Sequence, residues 1–226
     1  MEKQNNMVYL RGEIATEKRF SHEVYGEGFY EMDVKVKRLS GQEDILPITI
    51  SERLIEAESL SVGTMLSAVG QFRSYNKLVD GKSKLMLTMF VREIVDENFS
   101  QNPNNIVLSG YICKAPTYRT TPFNREICDL LIAVNRAYNK SDYIPCIAWG
   151  RNARFVKNLA VGEKIALAGR IQSRLYQKRT DEDIKTLTAY EVSISKISAY
   201  DNVENFDLEA EFMGGSNYID SLKNIV

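Results

Sequence analysis

Tyr143 and Trp149 lie six residues apart in the run NRAYNKSDYIPCIAWG, residues 135–150, and Trp149 is the only tryptophan of the chain. With the period of two of an extended backbone, Tyr143, Pro145, Ile147 and Trp149 share one face, and Ile144, Cys146 and Ala148 share the other. Both faces are apolar, although a strand in a half-wet sheet needs only one such face. Either the strand is buried on both sides or its rings are kept exposed to stack on a flat ligand. The run KIALAGRIQSRLY, residues 164–176, favours exposure. Ile165, Leu167, Gly169 and Ile171 take its inward parity, which leaves Arg170, Gln172, Arg174 and Tyr176 together on the outward face. Guanidinium groups that hold phosphates, interleaved with rings that stack on unpaired bases, are the chemistry by which a single nucleic-acid strand is gripped without its sequence being read.

Catalytic chemistry finds little support. His22 is the single histidine; it has no cysteine or carboxylate at ligand spacing and reads as a solvent-exposed loop residue. No phosphate loop of the GxxxxGK type, no GxSxG elbow and no HExxH occurs. Asp181, Glu182 and Asp183 read as a solvated charge run in a hairpin loop. Cys113, Cys128 and Cys146 form an odd set without a CxxC pair, each in an apolar run where cysteine acts as a small hydrophobe. The reading is a binding protein, not an enzyme, with no metal and no cofactor.

The elements that must position these residues come in two copies. A shift of 98 superposes Val8 on Ile106, Gly12 on Gly110, Val36 on Val134, Arg38 on Arg136 and Pro47 on Pro145, and a shift of 99 then superposes Gly63 on Gly162, Gly70 on Gly169 and Ser74 on Ser173. Repeats of this length are tandem domains. In the second copy, β-rich runs fall near 104–113, 125–136, 142–149, 163–176 and 186–198. The one helical interruption, GRNARFVKNLAVG, sets Ala153, Val156 and Leu159 at helical spacing. The fold class expected is therefore mainly β: two tandem OB-fold barrels of five strands each, with a short helix between strands 3 and 4 and an acidic C-terminal tail. The boundaries expected are 1–98, 103–199 and 200–226, the last an acidic and flexible tail, with DENFSQNPN, residues 96–104, as the linker.

At 226 residues, 44% hydrophobic and 26% charged, the chain has material for real cores. The start MEKQNNMVYLRGEI has no apolar run of signal length and no stretch of eighteen apolar residues occurs, so a cytoplasmic, nucleoid-associated protein without membrane spans is expected. The net charge of −1 conceals a division. Residues 104–199 carry fifteen Lys and Arg against eight Asp and Glu, whereas the residues before and after them are net acidic. The basic groups and the rings are thus in the same copy.

Through NNIVLSGYI, YRTTPFNREI, AVNR, AWG and GRIQSR, the second copy resembles the bacterial single-stranded DNA-binding proteins (SSB) over about 95 residues. The resemblance implies stacking of bases on Tyr138, Tyr143, Trp149 and Tyr176. Arg170, Arg174, Arg136, Arg119 and Lys178 are the candidate phosphate contacts. At the same shift the first copy has Ser40, Ile45 and Ser51 against Tyr138, Tyr143 and Trp149, and keeps only Tyr75, with Arg73 beside it. That copy binds weakly, binds through its own Tyr25, Phe29 and Tyr30, or serves assembly. The chain ends KNIV, without the short apolar tip by which family members recruit replication and repair proteins, although the acidic residues before it are kept, so such proteins stay among the partners expected of the tail. The function expected is binding of single-stranded DNA without strong sequence preference in replication, repair and recombination, by a homodimer. A protein–protein adaptor of primosome type and a single-stranded RNA binder are the alternatives.

Overall fold

Two runs with little polar interruption, NMVYLRGEI and NNIVLSGYI, open the two halves as β1 (Asn6–Ile14) and β7 (Asn104–Ile112). In the computed structural model, residues 4–38, 40–79, 81–96, 100, 102–179, 184–199 and 202–213 are described. The first half continues with β2 (Arg19–Val24), β3 (Glu27–Lys37), β4 (Glu43–Ser51), α1 (Glu52–Ala57), β5 (Met65–Val79) and β6 (Lys82–Ile94). The second repeats this order with β8 (Thr117–Thr120), β9 (Glu126–Arg136), β10 (Lys140–Trp149), α2 (Arg151–Val156), β11 (Lys164–Arg179) and β12 (Ile184–Ala199), and α3 (Leu208–Phe212) follows.

The expected fold class needs correction. The strands do not form two separate five-stranded barrels. They form one 12-stranded sheet in the order β2-β3-β4-β6-β5-β1-β7-β11-β12-β10-β9-β8. The joint is the antiparallel pair β1–β7, which matches Met7 with Val107, Val8 with Ile106 and Tyr9 with Asn105. Both strands are buried along most of their length, and their free edges would leave backbone donors without partners. Pairing the two edges with each other removes that cost. Each half also has a sixth strand, β2 or β8, that the apolar pattern does not announce, because every one of its residues is at least partly exposed. Within each half the first strand also bonds to the third, at Ile14↔Val34 and Ile112↔Ile132, which curls the sheet over its apolar face. A single core cluster runs through both halves, from Val8, Met32 and Phe72 to Ile106, Ile144 and Val192. Ala153, Val156 and Leu159 are buried in it, as their spacing predicts.

Gly70 and Gly169, matched by the repeat, sit next to irregularities in β5 and β11. A Cβ on either would lie 2.1 Å from the Phe90 carbonyl oxygen or 2.3 Å from that of Ser193, so only glycine allows the approach.

The two halves also grip each other through a pair of buried aspartates. Asp44 accepts the Ser173 N–H at 2.7 Å, and Asp142 accepts the Ser74 N–H at 2.7 Å. Both carboxylates are fully buried, and each faces an arginine of its own half, Arg38 or Arg136. Asp44 and Asp142, Arg38 and Arg136, and Ser74 and Ser173 are repeat mates, so the contact is made twice with approximate two-fold symmetry.

The acidic tail also departs from expectation over its first part. Asp207 caps α3 by accepting the Ala210 N–H at 3.0 Å, and Phe212 and Met213 are buried against Met7, Tyr9, Val107 and Ala168, across the β1–β7 joint. Asn105 donates to the Phe212 carbonyl at 2.6 Å. Acidic residues dominate the composition there, yet five apolar side chains, Val203, Phe206, Leu208, Phe212 and Met213, are enough to dock it. Residues 214–226 lie outside the described residues, as do the expected hairpin run 181–183 and the linker residues 97–99 and 101.

Candidate nucleic-acid interface

β10 answers the question its sequence raises. Ile144, Cys146 and Ala148 are buried in the core; on the opposite face Ile147 is covered and Pro145 half-buried, while Tyr143 and Trp149 at the two ends are 44% and 38% exposed. The β9–β10 turn carries Tyr138 with φ of 61° and Asn139 with φ of 55°, and this left-handed corner leaves the Tyr138 ring fully in solvent. Trp149 donates its indole N–H to the Ser193 hydroxyl of β12 at 3.3 Å, which fixes the ring's edge and leaves a face open.

Ser193, the partner of the indole, also lines a cavity of about 370 Å³, together with Ser195, Asn104, Arg170, Arg38 and Lys37. Two of its cations, Lys37 and Arg38, come from the first half. They were not among the expected contacts, because the excess of basic residues lies in the second copy. Their visible signal was the match of Arg38 with Arg136. Burial is the largest influence on Arg170, and with Arg38 nearby it lowers the guanidinium below its ordinary range. Arg170 donates to Gln172 at 3.4 Å.

The other expected contacts divide. Arg174 lies over the Tyr176 ring at 5.9 Å and 3.7 Å from Glu191, so it is held beside the ring and stays exposed. Gln172, expected outward, is buried and donates to Glu191 at 2.8 Å. Arg119 is paired with Asp129 at 2.9 Å and Arg136 with Asp142 at 3.5 Å, which commits much of their charge to the protein itself. The side chain of Lys178 lies outside the described residues. In the first half, Tyr75 is 38% exposed and donates to Glu31 at 2.9 Å; burial, then that bond, pushes its hydroxyl up to about 12. Arg73 lies 3.8 Å from the centre of the Phe90 ring. Burial, then Arg136 and Arg92, lower it to about 10. His22 is on β2, stacked on Phe29 at 5.1 Å, and not in a loop.

Residues 103–200 match the model of the single-strand binding protein family. The chain is 30% identical to single-stranded DNA-binding protein 1 of Streptococcus pyogenes over 117 residues, which cover 49% of this chain and 90% of that protein. It is 36% identical to single-stranded DNA-binding protein 1 of Staphylococcus aureus over 83 residues, 34% of this chain and 50% of that one. The chain belongs to the single-strand binding protein family. Its fold is shared with the single-stranded DNA binding protein from Thermus aquaticus, with a TM-score of 0.65 at 18% identity over 86% of this chain and 92% of the other. That likeness covers most of the chain, whereas the family model matches residues 103–200. Among the described residues no helix is long and apolar enough to cross a membrane.

Proposed function

We propose that this protein binds single-stranded DNA without strong sequence preference and covers it during replication, repair and recombination. The observation that carries the reading is Trp149: an indole with an open face, pinned at its edge by Ser193, which also lines a cavity walled by Arg170, Arg38 and Lys37. A base stacks on the indole, and the adjoining phosphates meet Arg170 and Lys37, since Arg38 is held by Asp44. Tyr143, Tyr138 and Tyr176, with Arg174, extend the path along residues 103–199, the unit that holds most of the affinity. Arg119 and Arg136 serve mainly to hold the fold, because each is already paired with an aspartate. Stacking tolerates every base, and phosphates carry no sequence information, so preference among sequences is weak.

The test is titration of the full chain with oligo(dT) and with duplex of equal length, followed by Trp149 emission. Oligo(dT) is expected to quench the emission strongly and to bind far more tightly than duplex. The logarithm of its affinity should fall with log salt at about −0.7 per phosphate contacted. Trp149→Ala should cost about 1–3 kcal/mol of binding. Duplex binding within a few fold of oligo(dT), or unchanged emission at saturation, overturns the reading.

A further inference from the structure

The first half lacks rings at the repeat positions of Tyr138, Tyr143 and Trp149, yet its outer face is not without rings. In the second half Trp149 on β10 stands opposite Ile127 on β9, and its indole reaches Ser193 on β12, whose parallel partner on β10 is Ile147. In the first half Ser51 on β4 stands opposite Phe29 on β3, and Thr49 of the same strand is the parallel partner of Phe90 on β6. One large ring between two smaller neighbours has become one small residue between two rings. Comparison along the chain hides this exchange, because the rings moved to adjacent strands.

The rings form a continuous row. His22 stacks on Phe29 at 5.1 Å and 8°, Phe29 on Phe90 at 5.5 Å and 29°, and the Arg73 guanidinium lies 3.8 Å from the Phe90 centre. Phe29 and Phe90 are half-buried, and with Ser51, Arg53, Arg92 and Glu27 they line an open cavity of about 580 Å³, within the size range of small-ligand sites. The Arg92 and Arg136 guanidiniums both lie close enough to Arg73 to act on its charge, against the buried carboxylate of Asp142. The Arg73 Nε is buried without a hydrogen-bond partner, and Arg73 and Arg92 share the Gln71 amide oxygen at 3.0 and 3.4 Å. Positive charge is thus in excess on this side. Arg53 contributes less, because Glu27 holds it at 3.0 Å and also accepts from Ser51.

We propose that Phe29 and Phe90, with Arg73 and Arg92, form a second site for single-stranded nucleic acid, in which an unpaired base lies against the ring pair and its phosphates meet the two arginines. The site rests on the reading of the second half given above. It takes a neighbouring stretch of the same strand, so that the first half lengthens the footprint. Glu27 is the one carboxylate that lines the cavity, and it keeps this site weaker than that of Trp149.

The experiment uses the full chain, with a short oligo(dT) that the second half alone spans and one about twice as long. Phe90→Leu keeps apolar bulk under Arg73 and removes the ring. It should lower affinity for the long oligonucleotide about tenfold and shorten the protected length, while leaving short-oligonucleotide affinity and Trp149 quenching unchanged. Glu27→Gln should tighten long-oligonucleotide binding, and it provides a second variant should Phe90→Leu fail to fold. Oligo(dT) carrying 5-iodouracil should crosslink to Phe29 or Phe90 in the unaltered protein. Wild-type affinity and footprint in folded Phe90→Leu, with crosslinks confined to the second half, overturn the proposal. So does a change in particle mass with DNA binding unaltered, which would make this face a protein contact. Absence of Trp149 quenching in the unaltered protein overturns the reading of the second half instead, and this site falls with it if crosslinks to Phe29 and Phe90 are also absent.

Discussion

Asp142 and Asp44 are repeat mates with unequal surroundings. Asp44 takes two bonds from Arg38, at 2.6 and 2.7 Å, whereas Asp142 meets Arg136 at 3.5 Å and keeps one oxygen without a hydrogen-bond partner. Burial is the main influence on Asp142 and raises its pKa, against the pull of the Ser74 N–H, Arg136 and Arg73. A carboxyl whose folded pKa is raised contributes most to stability below its unfolded value, near 3.8, and loses that contribution as pH rises through the folded value. Asp142→Asn keeps an acceptor for the Ser74 N–H and does not titrate. Urea melts from pH 4 upward should therefore show the stability of the unaltered protein falling relative to that of the variant as pH increases. Asp44→Ala, which strips a bidentate arginine and the Ser173 N–H together, should cost about 3–5 kcal/mol, and more than Asp142→Ala. Asp44 and Asp142 were visible in the sequence only as aligned acids; that each reaches into the opposite half was not.

At the scale of elements, the strands of the second half and the helix after β10 were legible because apolar alternation and a Gly-bounded helical spacing are local signals. β2 and β8 were not legible, since exposed strands carry no apolar period. α3 was hidden by its own charge. It lies over Tyr9 and Val107, and Lys196 pairs with Glu211 while lying 5.6 Å from the Phe206 ring. Phe212→Ala should lower the stability of the full chain by about 2 kcal/mol in denaturant melts, and truncation after Ala199 should uncover apolar surface that binds a hydrophobic dye. An unchanged melt for Phe212→Ala would show that the segment adds nothing to the joint.

For the whole molecule, the β1 and β7 edges are consumed within one chain, so assembly must use other surfaces. The long hairpin arms β5–β6 and β11–β12 reach beyond the core and expose Leu78 and Leu175 at 74% and 71%, with Val79 and Leu85 beside the former. Apolar side chains gathered on projecting arms mark contact surfaces. We expect these arms to join two chains, so that light scattering gives about twice the 25.8 kDa chain mass. Replacing Leu78 and Leu175 by serine should return the monomer mass, and a monomer in the unaltered protein would leave the arms free for DNA alone.

The repeat, the β-rich composition, the outward rings of β10 and the basic surface of β11 were determined by the sequence itself, because period-two alternation and charge are properties of neighbouring residues. The union of twelve strands in one sheet was decided by tertiary structure, since it depends on two apolar edges a hundred residues apart meeting each other. So were the meeting of Lys37 and Arg38 with Ser193 in one cavity and the placing of rings at Phe29 and Phe90. A surface assembled from adjacent strands is ordered by strand pairing, and pairing is settled by what each strand must bury.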